Sequence, residues 1–281
     1  MSIQFQCPVC HEPLSSDSLV CHTHGEFKRS PQGFISFSPQ QDCYFSEHWS
    51  LSALPELPSA KIAAASDFLA PLLVRPSGTW LDVGTGDGIH LSVLRTQCKD
   101  TQLIGLDISS AALAICHKRI PGATLMLADA QAIPICSETL DGAFSYGVLA
   151  YVPDTWKALA EMVRVTRKGG LIGVWMYPRT TSFMGLIFAT VRQFVPRLPR
   201  FMQARVADCI VPFLGLLPTA GRVHLGNASW AACREVVMVN IAPPHLIFPT
   251  ADEVRRQLQG LGCRIVIEDD FRHITLWAVK E

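Results

Sequence analysis

Residues 79–90, TWLDVGTGDGIH, decide the fold class of this 281-residue chain. An apolar run ends in an acid and a Gly-x-Gly-x-Gly turn, whose glycines permit tight positive-φ geometry and close approach of a ligand to the backbone. A second apolar run, residues 103–107 (LIGLD), also ends in an acid, 23 residues beyond Gly84. In open α/β sheets an acid at that place binds a ribose hydroxyl pair at the carboxyl edge of the strands. The two runs predict an α/β domain that binds a nucleoside.

The glycine turn departs from the pattern of dinucleotide-binding proteins. After Gly86 comes Asp87-Gly88, in place of two residues and a glycine. The added acid would repel a pyrophosphate at the start of the following helix. The turn therefore favours a cationic nucleoside that carries no phosphate.

Strand and helix patterns alternate around this turn, which is typical of a parallel sheet with helices on its faces. The predicted strands are 80–83, 103–106, 124–127, 142–146 and 170–176, and the helices between and before them are 61–74, 89–96, 109–119 and 156–166. A helix at 250–260 and strands at 263–269 and 274–280 follow near the end of the chain.

Four segments in order resemble the successive motifs of class I S-adenosylmethionine-dependent methyltransferases with a type 11-like core. They are LDVGTGDG (81–88), GLDIS (105–109), ADAQAIP (128–134) and VTRKGGLIGVWMYP (165–178), and the resemblance is strong over residues 61–177. It implies an enzyme that transfers methyl groups from S-adenosyl-L-methionine. It also implies a Rossmann-like sheet of seven strands, with an antiparallel last strand at the edge, completed by residues 246–281.

The resemblance also implies a role for each motif residue. Asp82 would lie near the ammonium of the cofactor, Asp107 would accept the ribose hydroxyls, and Asp129 would accept from the adenine amino group. The remaining residues that the resemblance assigns to the cofactor site are Gly84, Gly86 and Gly88 along methionine and ribose, Ile108 and the Ala130 amide beside adenine, Ser145 near the sulfonium, and Tyr44 in a lid.

Composition excludes several classes of protein. The chain is 49% hydrophobic and 17% charged with a formal net charge of zero, which argues against a general nucleic-acid footprint. Most of the ten cysteines stand singly among apolar residues, as buried thiols do. The first residues lack the pattern of a signal peptide, and the longest apolar runs are too short to span a membrane. We expect a cytoplasmic protein.

The N-terminal segment 1–40, called the head below, carries a metal-binding pattern. Cys7, Cys10, Cys21 and His24 follow the spacing C-x2-C-x10-C-x2-H, and His22 competes with His24 for the fourth place. Four protein ligands close a tetrahedral zinc, so the ion would be structural. The segment also resembles the zinc-ribbon head of bacterial rRNA guanine-N1 methyltransferases, which serves RNA recognition there. Residues 1–60 hold six acids and two basic residues, however, which makes a poor phosphate-binding surface.

Residues 178–245 interrupt the methyltransferase pattern between the fifth and sixth strands. This insert holds seven arginines and two acids among aromatic residues, and its resemblance to helical inserts of other methyltransferases implies a substrate cover. The sequence leaves open whether its arginines bind an anionic small acceptor, contact a membrane surface, contact RNA, or are simply solvated. It does not predict an oligomeric state.

The catalytic group is the least determined part of the site. Methyl transfer depends mainly on alignment and exclusion of water, and a general base is needed only for a protonated acceptor. The candidate bases are Tyr151, His245, His224 and Glu47, of which the last lies in the linker and lid segment 41–60 with Tyr44.

Three functions fit these observations. The first is methyl transfer to oxygen or nitrogen of a small biosynthetic intermediate. The second is methylation of an rRNA or tRNA base, which the zinc head and the basic insert favour. The third is a cofactor-binding regulatory subunit without turnover. Fold alone does not decide among them.

Overall fold

The computed structural model describes residues 3–15, 18–38, 45, 59–75, 77–179, 189–216, 230–269 and 273–281. Two compact units divide the chain. The first comprises Met1–Tyr177 and Ala251–Glu281, and the second comprises Pro178–Thr250. The predicted nucleoside site and the predicted metal ligands all belong to the first unit.

The first unit is built on a mostly parallel sheet with helices connecting its strands. Its elements in chain order are β1 (Val20–Cys21), β2 (Gly25–Glu26), β3 (Phe34–Ser36), α1 (Ser59–Leu73), β4 (Ser77–Val83), α2 (Ile89–Gln97), β5 (Asp100–Asp107), α3 (Ser110–Arg119), β6 (Thr124–Leu127), β7 (Leu140–Tyr146), α4 (Thr155–Val165), β8 (Thr166–Met176), α7 (Ala251–Gly260), β9 (Cys263–Asp269) and β10 (Ile274–Lys280). The order in the large sheet is β3-β6-β5-β4-β7-β8-β10-β9. This is the Rossmann-like α/β architecture that the sequence predicts, and that prediction is confirmed.

Aromatic packing anchors α1 to the antiparallel end of the sheet. Trp277 of β10 is 1% exposed, and its indole Nε1 donates to the carbonyl of Phe68 in α1 at 3.1 Å. Burial of a side chain of this size stabilises the fold by about 2–3 kcal/mol. Gly173 of β8 makes room for the indole, because a Cβ there would lie 2.5 Å from the ring.

Two details of the predicted sheet are wrong. Within the residues that the structure describes, the large sheet has eight strands and not seven, because Phe34–Ser36 of the head pairs in parallel with Leu125–Leu127 of β6. The last strand, β10, is not at the edge, because it pairs with both β8 and β9. Burial explains this order: most side chains of β10 are buried, whereas those of β9 are mainly exposed and suit the edge.

The described part of the second unit consists of helices and short 3-10 turns. Its helices are α5 (Arg200–Ile210) and α6 (Trp230–Ile241), and 3-10 turns lie at Val195–Arg197 and Val211–Leu216. Asp208 of α5 joins the helices, since it pairs with Arg234 at 3.1 Å and accepts from the Trp230 indole at 2.8 Å. None of the helices in the described ranges has the length and hydropathy of a membrane-crossing helix.

Candidate functional site

The glycine turn between β4 and α2 has the geometry that its sequence predicts. Gly84, Gly86 and Gly88 have φ values of +81°, +52° and +81°, which side-chain-bearing residues rarely adopt. The amides of Gly84 and Thr85 both donate to the carbonyl of Leu106 in β5. A Cβ on Gly84 would lie 2.4 Å from the Val148 side chain. The turn is therefore held against β5, and a glycine is required at position 84 because Val148 packs against it.

Asp107 ties this turn to the second strand. Its carboxylate accepts the Gly86 amide at 2.9 Å and the Ser109 amide at 2.9 Å, and the residue is 8% exposed. Ser109 in turn caps α3, because its hydroxyl accepts the Ala112 amide at 3.2 Å. The carboxylate is thus fixed at the carboxyl end of β5, where a ribose would be bound in this class of sheet.

A buried acid lies at the end of β4. Asp82 is 1% exposed, and burial raises its pKa to about 8, with smaller contributions from the negative charges of Asp107 and Asp87. The Thr85 hydroxyl donates to its carboxyl at 3.1 Å. A cation brought to the turn would stabilise the ionised form of Asp82, so the site is electrostatically suited to a positively charged ligand.

Arg119 weakens the argument that the charge of Asp87 repels a pyrophosphate. The Arg119 guanidinium donates to the Asp87 carbonyl at 2.8 Å and pairs with its carboxylate at 3.2 Å. The charge of Asp87 is therefore balanced within the fold, and the preference for a cation depends mainly on Asp82 and Asp107. The sequence carried no signal for this pair, which joins residues 32 positions apart.

The end of β6 holds the residues predicted to face adenine. The Asp129 carboxylate accepts the Gln131 amide at 2.8 Å and the Gln131 side chain at 3.0 and 3.1 Å. Asp129 is half-buried, Ala130 is buried, and Ile108 at the end of β5 is half-buried. The structure thus brings the ends of β5 and β6 together, and the adenine contacts themselves stay predictions.

Ser145 is held inside the fold and does not face solvent. Its hydroxyl donates to the Val83 carbonyl at 2.8 Å, and its side chain is fully buried. It therefore links β7 to the residue that precedes the glycine turn. The next residue, Tyr146, is half-buried at the very end of β7.

A row of aromatic rings lies at the carboxyl ends of β7 and β8 and was not predicted from the sequence. The row consists of four rings, those of His90, Tyr146, Trp175 and His273. The ring centroids of Tyr146 and Trp175, which stack, are 4.2 Å apart. The centroid of His90 lies 4.7 Å from that of Tyr146, and the centroid of His273 lies 4.7 Å from that of Trp175. Tyr146 and Trp175 are register partners on β7 and β8. The sequence signal that could have predicted their stacking is an aromatic residue at the end of each predicted strand.

Burial keeps two members of this row, His90 and Tyr146, uncharged. It lowers the pKa of His90 to about 4 and raises the pKa of Tyr146 to about 12. Neither group is charged at neutral pH. The row therefore offers flat aromatic surface, which favours a sulfonium electrostatically.

The predicted catalytic and lid residues belong to different parts of the chain. Tyr151 lies in a 3-10 turn after β7, and its ring meets that of Phe45 edge to face at 5.7 Å. His245 is exposed and belongs to the second unit. Tyr44, Glu47 and His224 lie outside the described residues. The roles of all five residues stay predictions.

The head brings its four predicted metal ligands together. The ligand atoms of Cys7, Cys10, Cys21 and His24 all lie within 4.8 Å of one another. Nδ1 of His24 is 3.4 Å from Sγ of Cys7 and 3.5 Å from Sγ of Cys21. Three thiols and one imidazole in this arrangement suit tetrahedral zinc.

His22, the competing ligand, is directed elsewhere. Its side chain is 91% exposed and pairs with the Glu12 carboxylate. Glu12 also accepts the His22 amide at 3.2 Å and the Cys21 thiol at 3.1 Å. The geometry thus favours His24 as the fourth ligand and places Glu12 beside the cluster.

Comparison with known proteins identifies part of the chain. A protein-family profile described as a methyltransferase domain matches residues 81–174, which include the glycine turn, Asp107, Asp129 and two members of the aromatic row, His90 and Tyr146. This part of the chain is similar to a methyltransferase domain. The matched part ends before the second unit, and the head precedes it.

Relatives and solved structures agree with this match. The chain is 33% identical over 115 residues to a ubiquinone/menaquinone biosynthesis C-methyltransferase of Campylobacter jejuni, covering 40% of this chain and 48% of that one. It is 28% identical over 113 residues to a trans-aconitate 2-methyltransferase of Azoarcus sp. strain BH72, covering 40% and 44%. The chain spans about half the length of the curated relatives it matches first.

A solved structure shows that the likeness in fold extends further. The magnesium protoporphyrin IX methyltransferase of Synechocystis PCC 6803, solved with bound SAH, aligns over 85% of this chain and 94% of its own, with a TM-score of 0.51 and 12% identity. At that identity the likeness establishes the fold alone. Together these findings support a methyltransferase that depends on S-adenosylmethionine.

Proposed function

We propose that this protein transfers the methyl group of S-adenosylmethionine to an oxygen or nitrogen of a small-molecule acceptor. One observation carries the proposal: the glycine turn is closed onto the Asp107 carboxylate and lies above a buried carboxyl, Asp82. This arrangement suits a cationic nucleoside and disfavours a pyrophosphate.

The cofactor fits these residues part by part. Asp107 is positioned to accept the ribose hydroxyls, the backbone of Gly84, Gly86 and Gly88 lines the methionine and ribose, and the ammonium lies in the field of Asp82. Asp129, Ala130 and Ile108 provide the adenine end. When bound, the cofactor supplies a methyl group on a sulfonium, which is already a good leaving group.

The protein's own contribution is alignment and exclusion of water. The aromatic row lies at the edge where β7 and β8 end and gives the reacting centre an apolar wall. Tyr146 keeps its proton at neutral pH and is able to donate a hydrogen bond there. An acceptor that must lose a proton would also need a general base, for which Tyr151 and His245 remain the proposed candidates.

The charge of the N-terminal residues and the names of two relatives favour a small acceptor over RNA. Residues 1–60 are acidic in sequence, which disfavours phosphate contacts. Two relatives are named as a ubiquinone/menaquinone biosynthesis C-methyltransferase and a trans-aconitate 2-methyltransferase. The seven arginines of residues 178–245 would suit an anionic acceptor. We therefore place acceptor recognition in the second unit and propose that the head binds structural zinc.

Methyl transfer from labelled S-adenosylmethionine tests the proposed function. The purified full-length chain is incubated with the label and with either total RNA or the small-metabolite fraction of a cell extract. We expect label in small metabolites, and product analysis then identifies the methylated atom. Label in RNA alone would refute a small acceptor. Cofactor binding without label in either pool would indicate a non-catalytic subunit.

Zinc in the head gives a separate prediction. Elemental analysis of the full-length chain should find one zinc per chain, because the ligand atoms of three cysteines and one histidine lie within 4.8 Å of one another. Replacing Cys10 with serine should remove the metal. Cys209→Ser is the matched control, since both cysteines are exposed and only Cys10 belongs to the cluster. Metal-free wild-type protein, or a full equivalent of zinc in Cys10→Ser, would contradict the assignment.

A further inference from the structure

The head is attached directly to the end of the strand that carries the adenine residues. Phe34–Ser36 pairs in parallel with Leu125–Leu127 of β6. Beyond the paired residues, the amides of Phe37 and Ser38 both donate to the Leu127 carbonyl, at 2.9 and 3.2 Å. Leu127 is followed by Ala128 and Asp129, so this attachment ends where the predicted adenine contacts begin.

A second attachment lies on the other side of the residues that follow β6, at Pro134 and Cys136. The Gln6 amide donates to the Pro134 carbonyl at 3.2 Å, and the Cys136 amide donates to the Gln4 carbonyl at 2.9 Å. Phe5 forms an antiparallel bridge with Ile135. Residues 128–133, called the adenine segment below, therefore lie between two points at which the head is hydrogen-bonded to the domain.

The two attachments are joined within the head by aromatic packing. The ring of Phe37 lies 5.7 Å from that of Phe5 and 5.1 Å from that of Phe27. Phe5 and Phe37 are both buried, at 5% and 4% exposure. A displacement of either attachment therefore disturbs the other, and with it both ends of the adenine segment.

The metal ligands lie in the same part of the head as the bridging residue Phe5. Cys7 follows the bridging residue Phe5 by two positions, and its amide donates to the Glu12 carbonyl at 2.8 Å. The Leu14 amide donates to the Phe5 carbonyl at 2.9 Å. Besides its cysteines, the described head buries six apolar side chains, those of Phe5, Leu14, Leu19, Phe34, Ile35 and Phe37. That core is small for an independent fold, so the order of the head would depend also on the metal.

We infer that the metal-loaded head is a positioning element of the cofactor site: by fixing both ends of the adenine segment, it sets the affinity and selectivity for the adenine base. This inference rests on the proposed function and on zinc in the cluster. The head thereby acts through Asp129 and Ala130 and touches neither the acceptor nor the methyl group.

Binding measurements with and without metal test the inference. S-adenosylhomocysteine is compared with S-inosylhomocysteine, which carries a carbonyl oxygen in place of the adenine amino group and so presents an acceptor to Asp129. With zinc bound, we expect the amino ligand to bind more tightly by about tenfold or more. Removal of zinc with a chelator should weaken the amino ligand by about tenfold and reduce its advantage over the inosyl ligand.

Two variants separate positioning from general loss of structure. Cys10→Ser should reproduce the effect of the chelator, and Cys209→Ser should not. Phe37→Ala leaves every metal ligand intact and should also reduce the ratio of the two affinities, because it separates the two attachments. Circular dichroism confirms that each variant retains its fold.

The outcomes distinguish the inference from the proposed function. A ratio that stays constant while both affinities fall equally, or affinities that do not respond to zinc, would overturn the inference alone. Failure of zinc-loaded wild-type protein to bind S-adenosylhomocysteine would overturn the proposed function and the inference with it.

Discussion

Replacing Asp107 with alanine is expected to weaken binding of S-adenosylhomocysteine at least about a hundredfold. The carboxylate accepts two amides, from Gly86 and Ser109, and in the proposed complex it also accepts the ribose hydroxyls. Hydrogen bonds to a charged group contribute about 1.5–3 kcal/mol each, so loss of the ribose contacts alone accounts for most of the effect. Release of the glycine turn adds to it. Isothermal titration calorimetry of the purified chain measures the change.

Two controls make this experiment specific. Asp141→Ala is the matched control, because Asp141 also accepts a backbone amide, that of Thr79 at 2.7 Å, and pairs with Arg167. It lies near the start of β7, away from the carboxyl edge of the strands, and its loss should leave affinity within about twofold after correction for stability. Asp107→Asn should give an intermediate affinity. An unchanged affinity in Asp107→Ala would show that the ribose is bound elsewhere.

Binding of S-adenosylhomocysteine is expected to strengthen as the pH rises toward 8. In the free protein Asp82 has its pKa raised to about 8, so its carboxyl is mostly protonated at neutral pH. The ammonium of the ligand favours the ionised carboxylate and lowers this pKa in the complex. Binding at neutral pH must therefore release a proton, and affinity should rise up to about tenfold per pH unit until it levels off above about pH 8.

Calorimetry in buffers of different ionisation enthalpy counts the released proton directly. Asp82→Asn retains an acceptor for the Thr85 hydroxyl but does not titrate. We expect this variant to bind more weakly near pH 8 and to release no proton from this site. Wild-type affinity that falls as the pH rises toward 8 would mean that the buried carboxyl does not respond to the ligand's charge.

The sequence was sufficient for the parts of the site that depend on local pattern. The glycine turn, the two acids at the ends of β4 and β5 and the alternation of strands and helices follow from residue type and spacing within short segments. The four predicted metal ligands are close in sequence as well as in space. Each of these features is determined within a few tens of residues.

Features that depend on long-range packing were missed. The strand Phe34–Ser36 is only three residues long, so its pattern carries little information, and it is recognisable only from the exposed edge of β6 that it completes. Arg119 of α3 reaches Asp87 of the glycine turn. The aromatic row joins residues from α2, β7, β8 and the position just before β10, which only the register of the sheet brings together.

Competition for the glycine turn tests the central claim most directly. The purified chain is titrated with S-adenosylmethionine in the presence and absence of excess NAD, which shares the adenosine but adds a pyrophosphate. We predict saturable binding of one S-adenosylmethionine per chain that excess NAD does not displace, and loss of that binding in Asp107→Ala. Binding of NAD in preference to S-adenosylmethionine would contradict the account, because it would show that the acid-lined turn accepts phosphate.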